Sequence, residues 1–323
     1  MPIPPSSPGG SPSTVILSKC GDVVLVPSKG NQAPGKLLVS SAFLRGASSV
    51  FDKMLDGRFA EGQALSSANP SEIPLPDDDF GCMLLLCMII HLQTSDIPRR
   101  LDIIPLADFA ILCDKYDCVD AVRPWSRVWV LELLPKPDVA GFEKLLMVAY
   151  ALDLPDEFYK VTQSLIRDRT FSFDTEVASH GTDFLPLVVF ARLQKGQKLY
   201  QHLAVAALNP DYVNQVLFSG CTHSKEVYCN YLIKLKSAGL WPTKALDLAE
   251  YRRRLSRIDS VANGSCNTYY CGCKRGTNIM SVVIEKVDHV LNSVTGMCLD
   301  CVYQAAMKGK EGECRLQHSE GAF

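Results

Sequence analysis

Cysteine and histidine side chains are concentrated in the last third of this 323-residue sequence, where eight of the 13 cysteines and three of the six histidines lie. Two close pairs stand out: Cys271 and Cys273 on either side of Gly272, and Cys298 and Cys301 separated by two residues. A zinc ion prefers four soft ligands in a tetrahedron, with sulfur about 2.3 Å from the metal, and two short chelating loops supply that arrangement. We therefore predict a structural zinc site formed by these four cysteines.

The exact ligand set stays open, because Cys-x-Cys is less typical of zinc sites than Cys-x-x-Cys. One of the four ligands can be replaced by another cysteine or histidine of the same region: Cys221, His223, Cys266, Cys314 or His318. Reduced structural cysteines without a metal are an alternative. A disulfide between Cys298 and Cys301 is a third, although an odd number of cysteines without a secretion signal is typical of a reducing compartment.

Recognisable catalytic patterns are missing from the sequence, which contains no glycine-rich phosphate loop, no His-Glu-x-x-His and no Gly-x-Ser-x-Gly nucleophile turn. His91 lies in an apolar helical pattern, where a hydrogen-bonded core histidine is the simpler interpretation, and His180 has no recognisable nucleophile nearby. Three consecutive acids at 77–79 cannot all face one cation, and a helix start explains them better. We expect a protein that is not an enzyme.

Composition and charge restrict the partners. The formal net charge is -2 and the pI is about 6.3, so no global basic field draws the chain to nucleic acid or to an anionic membrane. The longest apolar run, residues 83–92, is about half of the roughly 20 residues that a membrane-spanning helix needs. Residues 1–13 are rich in Pro, Ser and Gly and predict a disordered tail, not a secretory signal. We expect a cytoplasmic or nuclear protein.

One segment is strongly basic, with four arginines between Arg252 and Arg257. Beside a zinc module, such a segment is compatible with DNA contact by a transcriptional regulator. Runs of charge are more often the solvated face of a helix. The opposite side of this helix would carry an apolar stripe: Leu248, Tyr251, Leu255 and Ile258.

Helices are expected to position the cysteine pairs. Apolar residues recur at three- and four-residue steps from Met280 to Val290, between the two pairs, and residues 302–307 can form a second helix directly after Cys301. From Arg123 to about Phe218 the same spacing, punctuated by prolines, predicts helix after helix.

The first third of the chain combines strands with helices. The branched residues of Val23–Val26 and a partner segment at 36–39 predict paired strands, and prolines at 74 and 76 predict that residues 72–75 form an edge strand. Apolar spacing predicts the helices: two short ones that break near Gly46 and are capped by Ser48 or Ser49, a buried one from Phe80 to Leu92, and one from Ile104 to Tyr116. A small sheet clasped by helices is the expected result.

Two stretches within this order of elements carry a family resemblance, VSSAFLRGASSVFDKML at 39–55 and LADFAILCDKYDCVDAV at 106–122. Together with GDVVLV at 21–26 they resemble the BTB/POZ domain, especially its fungal members. The resemblance implies a protein–protein interaction domain that forms homodimers or recruits a partner such as a cullin-type ubiquitin ligase. In cullin-adaptor members, helices directly after the domain help to hold the ligase scaffold.

The resemblance also implies interface residues, for which Asp22, Phe43 and Phe51 are the candidates. Asp22 matches an acid that pairs in many BTB dimers with a basic residue after the second strand, but Ser40 and Ser41 occupy the histidine and basic positions here. An unpaired carboxylate buried at an interface is costly, which argues against dimers of that particular kind. The alternative is that Asp22 is a surface residue at the start of a strand.

These observations predict an α+β fold class: a disordered tail at 1–13, a BTB/POZ-like domain at 15–122, a mainly α-helical extension at 123–219, and a Cys-rich region at 220–323 stabilised by zinc. The function expected from them is that of a non-enzymatic adaptor that associates with itself or with protein partners. A regulator that contacts DNA through the basic, Cys-rich tail is the alternative.

Overall fold

The computed structural model describes residues 14–30, 35–63, 65–168, 184–209, 224–242, 246–258, 279–307 and 313–318. Within them the chain is mixed α/β and mostly helical, with one small sheet. It divides into two compact units, the first made of Met1–Pro135 and Ala140–Glu157, the second of Lys136–Val139 and Phe158–Phe323. The predicted disordered tail lies outside the described residues.

A four-stranded sheet opens the first unit. Its strands are β1 Thr14–Ile16, β2 Val23–Pro27, β3 Lys36–Val39 and β4 Ser71–Leu75, in the order β1-β3-β2-β4. Strands β2 and β3 pair antiparallel, which confirms the predicted strand pair, whereas β1 and β4 run parallel to their neighbours. Strand β4 lies at an edge, as its prolines require. Strand β1 was not predicted, because three residues are too few to show a periodic pattern.

The helices of the first unit pack against this sheet and each other: α1 Ser41–Ala47, α2 Ser49–Met54, α3 Phe80–Ile90, α4 Ile103–Lys115, α5 Val119–Leu133 and α6 Lys144–Ala151. Helix α3 begins where Asp79 accepts a hydrogen bond from the Cys82 N–H at 2.9 Å, so the acidic run does start a helix. Leu86 of α3 and Phe109 of α4 are fully buried, which places both helices in the core as predicted.

The break between α1 and α2 lies at Ser48, two residues beyond Gly46. The Ser48 hydroxyl accepts a hydrogen bond from the Phe51 N–H at 2.9 Å and donates one to the Tyr116 carbonyl at 2.5 Å. Gly46 lies inside α1, and a methyl group added there would meet nothing within 4 Å. The break between the two helices thus coincides with the N-cap of α2, close to the predicted position near Gly46.

The second unit is helical in its described parts. Its helices are most of α7 Pro155–Arg167, then α8 Leu187–Ala207, α9 Ser224–Ser237, α10 Leu248–Leu255, α11 Ile279–Asn292 and α12 Leu299–Met307. Helix α8 packs against α10, α11 and α12, so the Cys-rich region and a helix of the predicted extension belong to one unit. Within α7 the assignment to units changes between Glu157 and Phe158, and the domain boundaries suggested after 122 and 219 stay predictions.

Candidate metal centre and interaction surface

A cluster of three cysteines and one histidine lies at the start of α12. Cys298 directly precedes the helix and Cys301 is its third residue, while Cys314 and His318 come from a segment, residues 313–318, that forms neither helix nor strand. The ligand atoms of all four residues lie within 4.8 Å of one another. The Sγ atom of Cys301 is 3.5 Å from the Sγ atom of Cys314 and 3.4 Å from Nε2 of His318.

These distances suit a single tetrahedral ion. Sulfur and nitrogen ligands at ordinary zinc distances lie roughly 3.5–3.8 Å apart at tetrahedral angles. Three soft sulfurs and one imidazole match the preference of zinc, and all four positions would be filled by the protein. The cluster can therefore bind a metal ion, and the closed ligand set is typical of structural sites, not of catalytic ones.

An ion pair joins the same two segments beside the cluster. Asp300 lies between Cys298 and Cys301 in the sequence, and Arg315 follows Cys314. The carboxylate of Asp300 accepts hydrogen bonds from the Arg315 backbone N–H at 2.8 Å, from Nε at 2.9 Å and from Nη2 at 2.6 Å. Burial raises the pKa of Asp300, but the hydrogen bonds from Arg315 have the larger combined effect. The pKa of Asp300 is therefore below its ordinary value. Asp300 thus remains ionised next to Arg315.

Without a metal, the three thiols differ in acidity. Burial raises the pKa of Cys298 and raises that of Cys301 to about 12. The hydrogen bond with His318, followed by that with Cys301, lowers the pKa of Cys314. A bound divalent ion would displace the remaining thiol protons, because zinc binds thiolates.

The structure brings together only part of the predicted ligand set. Cys298 and Cys301 lie in the cluster, and both are free thiols with no disulfide between them. Their neighbours are Cys314 and His318, which the sequence offered only as replacements for one ligand. The other predicted ligands, Cys271 and Cys273, lie outside the described residues, as do Cys221, His223 and Cys266. The spacing Cys-x2-Cys-x12-Cys-x3-His is the signal that would have identified the cluster.

Asp22, the first candidate interface residue, is half-buried and paired within its own chain. Its carboxylate accepts hydrogen bonds from the Ser41 N–H at 2.7 Å and from the Ser41 hydroxyl at 2.6 Å. The neighbouring Ser40 N–H donates to Nε2 of His91 at 2.9 Å. Of the two serines at the expected histidine and basic positions, Ser40 therefore bonds His91, directly after α3, and Ser41 bonds Asp22.

Phe43, the second candidate, is one of three exposed apolar side chains on segments that contact one another. Ile16, Phe43 and Leu92 are 60%, 47% and 71% exposed. The rings of Phe43 and His91 are 5.2 Å apart, and the Gln93 side chain donates to the Leu17 carbonyl at 2.7 Å. These contacts bring the end of β1, α1 and the end of α3 together. We call Ile16, Phe43 and Leu92 the Phe43 patch.

Phe51, the third candidate, is fully buried. Its ring stacks on Tyr116, with centroids 4.5 Å apart. Apolar spacing predicted that Phe51 lies on a helix, but spacing alone does not tell a core face from a docking face. In this structure Phe51 is a core residue and is not accessible to a partner.

Neither a protein-family model nor a curated protein matches this chain. Among the described helices, none has both the length and the apolar character needed to span a bilayer.

The basic segment weighed as a DNA contact is partly neutralised, because three of its four arginines pair with two acids. Arg252 bonds Asp288 at 2.5 Å, Arg254 bonds Glu250 at 2.6 Å, and Arg253 also pairs with Glu250. The apolar stripe lies on the inner side of α10, because Leu248, Tyr251 and Leu255 are buried. This arrangement is that of a solvated helix face carrying ion pairs.

The two histidines weighed as catalytic groups differ in what the structure shows. Both ring nitrogens of His91 have partners, the Ser40 N–H and the Cys87 carbonyl, at 2.9 and 2.8 Å. His91 thus has the hydrogen-bonded environment expected of a core histidine. His180 lies outside the described residues.

Proposed function

We propose that this chain is a non-enzymatic interaction protein whose BTB/POZ-like first unit associates with a second copy of itself. We further propose that a structural zinc ion, held by Cys298, Cys301, Cys314 and His318, stabilises the second unit. The resemblance of residues 21–122 to BTB/POZ domains supports the first part. The donor set and spacing of the cluster support the second.

The Phe43 patch is the observation that carries the self-association proposal. Exposed apolar side chains are ordinary when scattered, but three on segments that contact one another favour a contact surface. Ile16 belongs to β1, an outer strand of the sheet in the described chain. An outer strand presents unpaired N–H and C=O groups, which the same strand of a second copy can pair about a twofold axis. The patch and the strand edge together favour a second copy as the occupant.

The pairing of Asp22 with Ser41 removes one argument against such a dimer. The sequence suggested that Asp22 would be left without a partner at an interface, at a large cost in free energy. Two hydrogen bonds from Ser41 already satisfy this carboxylate inside one chain. Self-association through the patch therefore does not require a basic residue from the partner.

Sedimentation velocity of the full chain tests self-association. The double variant Ile16→Thr, Leu92→Asn replaces two exposed apolar side chains, and Asn suits the left-handed backbone of Leu92, where φ is 59°. We expect a dimer for the wild type and a monomer for the variant. Leu187→Gln, at an exposed leucine of α8, is the matched control and should stay dimeric. A monomeric wild type would refute the proposal, and binding of a cullin scaffold by that monomer would favour recruitment instead.

Metal analysis of protein purified without added zinc tests the second part. We expect one zinc per chain, lost in Cys298→Ser and in Cys314→Ser. Cys229→Ser replaces an exposed cysteine outside the cluster and should retain the metal. A wild type that binds no stoichiometric metal, or a Cys314→Ser variant that binds as the wild type does, would refute this ligand set.

The DNA-binding alternative receives less support from the observed charges. DNA affinity that rests on several phosphate contacts falls steeply as salt increases, whereas association through apolar side chains does not. Because three arginines of α10 pair with the two acids Glu250 and Asp288, which lowers the charge of this face, we expect no salt-sensitive binding to duplex DNA. A fluorescence-anisotropy titration with duplex DNA at low and high salt tests this expectation. Binding that weakens steeply as salt increases would contradict it.

A further inference from the structure

The two halves of the Cys/His cluster are held in place very differently. The first half follows a strongly anchored segment, residues 293–299. Tyr200 of α8 donates to the Ser293 carbonyl at 2.9 Å, and Gln163 of α7 donates to the Val294 carbonyl at 2.8 Å. The Met297 N–H donates to the Thr162 hydroxyl at 2.8 Å.

Packing reinforces these hydrogen bonds. Val294, Met297, Cys298 and Leu299 are all at least 98% buried. A methyl group added at Gly296 would collide with the carbonyl oxygen of Tyr159, so the backbone of this segment lies directly against α7. The Cys298 and Cys301 thiols therefore project from a rigid base that does not depend on a metal.

The second half of the cluster, Cys314 and His318, lies in a different kind of segment. Residues 313–318 form neither helix nor strand, and Glu313, Arg315 and Gln317 are exposed. The bonds from Arg315 to Asp300 link this segment to the first turn of α12. They join the same two segments that a metal ion would join through Cys301 and Cys314.

Charge gives Arg315 a second effect on the site. Three thiolates and one Zn²⁺ ion carry a net charge of -1, which a guanidinium on the neighbouring residue stabilises. The start of α12 also stabilises a negative centre, because its free N–H groups carry partial positive charge. By holding residues 313–318 near the start of α12, the Arg315–Asp300 pair raises the effective concentration of Cys314 and His318 near the Cys298 and Cys301 thiols.

We infer that residues 313–318 form a zinc-operated latch, positioned by the Arg315–Asp300 pair, which closes on the preformed Cys298–Cys301 base when zinc binds and opens when zinc is removed. This inference rests on the proposed zinc site. Cys298 and Cys301 are then in place before the metal binds. Arg315 raises the zinc affinity of the complete site by holding Cys314 and His318 near them. Metal occupancy therefore regulates the docking of the C-terminal segment.

Hydrogen–deuterium exchange of the full chain, with zinc and after chelation, tests the latch. We expect exchange at residues 313–318 to slow at least about tenfold with zinc, as ordering on metal binding requires. Exchange at residues 293–299 should remain slow in both states. Stoichiometric zinc binding without a change at 313–318 would overturn the latch and leave the zinc site intact, whereas absence of zinc binding would overturn both.

Competition with a chromophoric chelator tests the role of Arg315. Substitution of groups that orient metal ligands typically costs about 10- to 100-fold in metal affinity, so we expect Arg315→Ala to weaken zinc binding about tenfold. Arg253→Ala removes another exposed arginine that is paired with an acid, and it should leave zinc affinity unchanged. Slow exchange at 293–299 in Arg315→Ala would show that the unit remains folded. An unchanged zinc affinity in that variant would refute the positioning role.

Discussion

Asp22 accepts two hydrogen bonds from Ser41, one from the backbone N–H at 2.7 Å and one from the hydroxyl at 2.6 Å. Asp22 lies just before β2, and Ser41 is the first residue of α1. A helix begins with N–H groups that lack partners within the helix, and this acid satisfies one of them from a distant part of the chain. The pair therefore fixes the direction in which α1 leaves the sheet.

Ser41→Ala should destabilise the first unit. The variant removes one hydrogen bond to an ionised carboxylate, which contributes about 1.5 kcal/mol or more. Ser40→Ala is a matched control, because Ser40 makes its bond to His91 through its backbone and its hydroxyl forms no cap. Urea denaturation should show a lower free energy of unfolding for Ser41→Ala than for Ser40→Ala. Equal values would refute the role of the hydroxyl.

The stability of the protein should fall as the pH drops below the ordinary histidine value of 6.5, in part because of His91. Burial lowers the pKa of His91, while its bond to the Cys87 carbonyl opposes the shift. The unfolded chain therefore binds a proton at a higher pH than the folded one does. The contribution of neutral His91 to the free energy of unfolding is fully present above pH 6.5. It is lost as the pH falls toward the pKa that His91 has in the folded protein. Protonation of His91 would also place a hydrogen on Nε2, the atom that accepts the hydrogen bond from the Ser40 N–H.

Urea denaturation at about pH 7.5 and about pH 5.5 measures this loss. His91→Gln should show a smaller decrease between the two conditions than the wild type. His202→Gln, at an exposed histidine of α8, should behave as the wild type does. The same decrease in all three proteins would exclude His91 as the cause.

Tyr116→Phe should cost more stability than Lys115→Ala. Both residues bond the buried carboxylate of Asp78, Tyr116 at 2.5 Å and Lys115 at 2.6 Å. Loss of the tyrosine hydroxyl leaves a buried oxygen unsatisfied, which costs about 1–3 kcal/mol. The ammonium of Lys115 belongs to a side chain that is 47% exposed, so water replaces much of its contribution. A thermal unfolding series would contradict this order if Lys115→Ala were the less stable variant.

Two glycine-to-alanine variants should have opposite effects. At Gly296 the new methyl group collides with the Tyr159 carbonyl, and overpacking of this kind costs about 1–3 kcal/mol. At Gly46, inside α1, it meets nothing, and alanine favours a helix over glycine by about 1 kcal/mol. Melting temperatures should therefore fall for Gly296→Ala and rise for Gly46→Ala. A fall for both would show that α1 does not tolerate alanine.

Local signals in the sequence predicted much of the fold. Branched residues predicted β2 and β3, and the acids before Phe80 predicted the start of α3. Each of these elements depends on residues that are close in the sequence. The N-cap at Ser48 was predicted for the same reason, as one of two neighbouring serines.

Features that depend on distant residues were not predicted. The burial of Phe51 is decided by Tyr116, which lies 65 positions away, and the pairing of Asp22 by Ser41 on another element. The metal cluster joins Cys301 to Cys314, which are 13 positions apart in the sequence. Sequence spacing showed which cysteines were available, and the fold decided which of them meet.

The hydrogen bond from Met297 to Thr162 spans 135 positions of the chain and has a consequence for biosynthesis. A ribosome that adds about 5–20 residues per second needs roughly 7–27 s to travel from one partner to the other. During that interval α7 has been made but its partner segment has not, so its inner surface is available to chaperones. The first unit, whose residues end at Glu157, can fold while translation continues, whereas the second cannot form this contact until Met297 has been made.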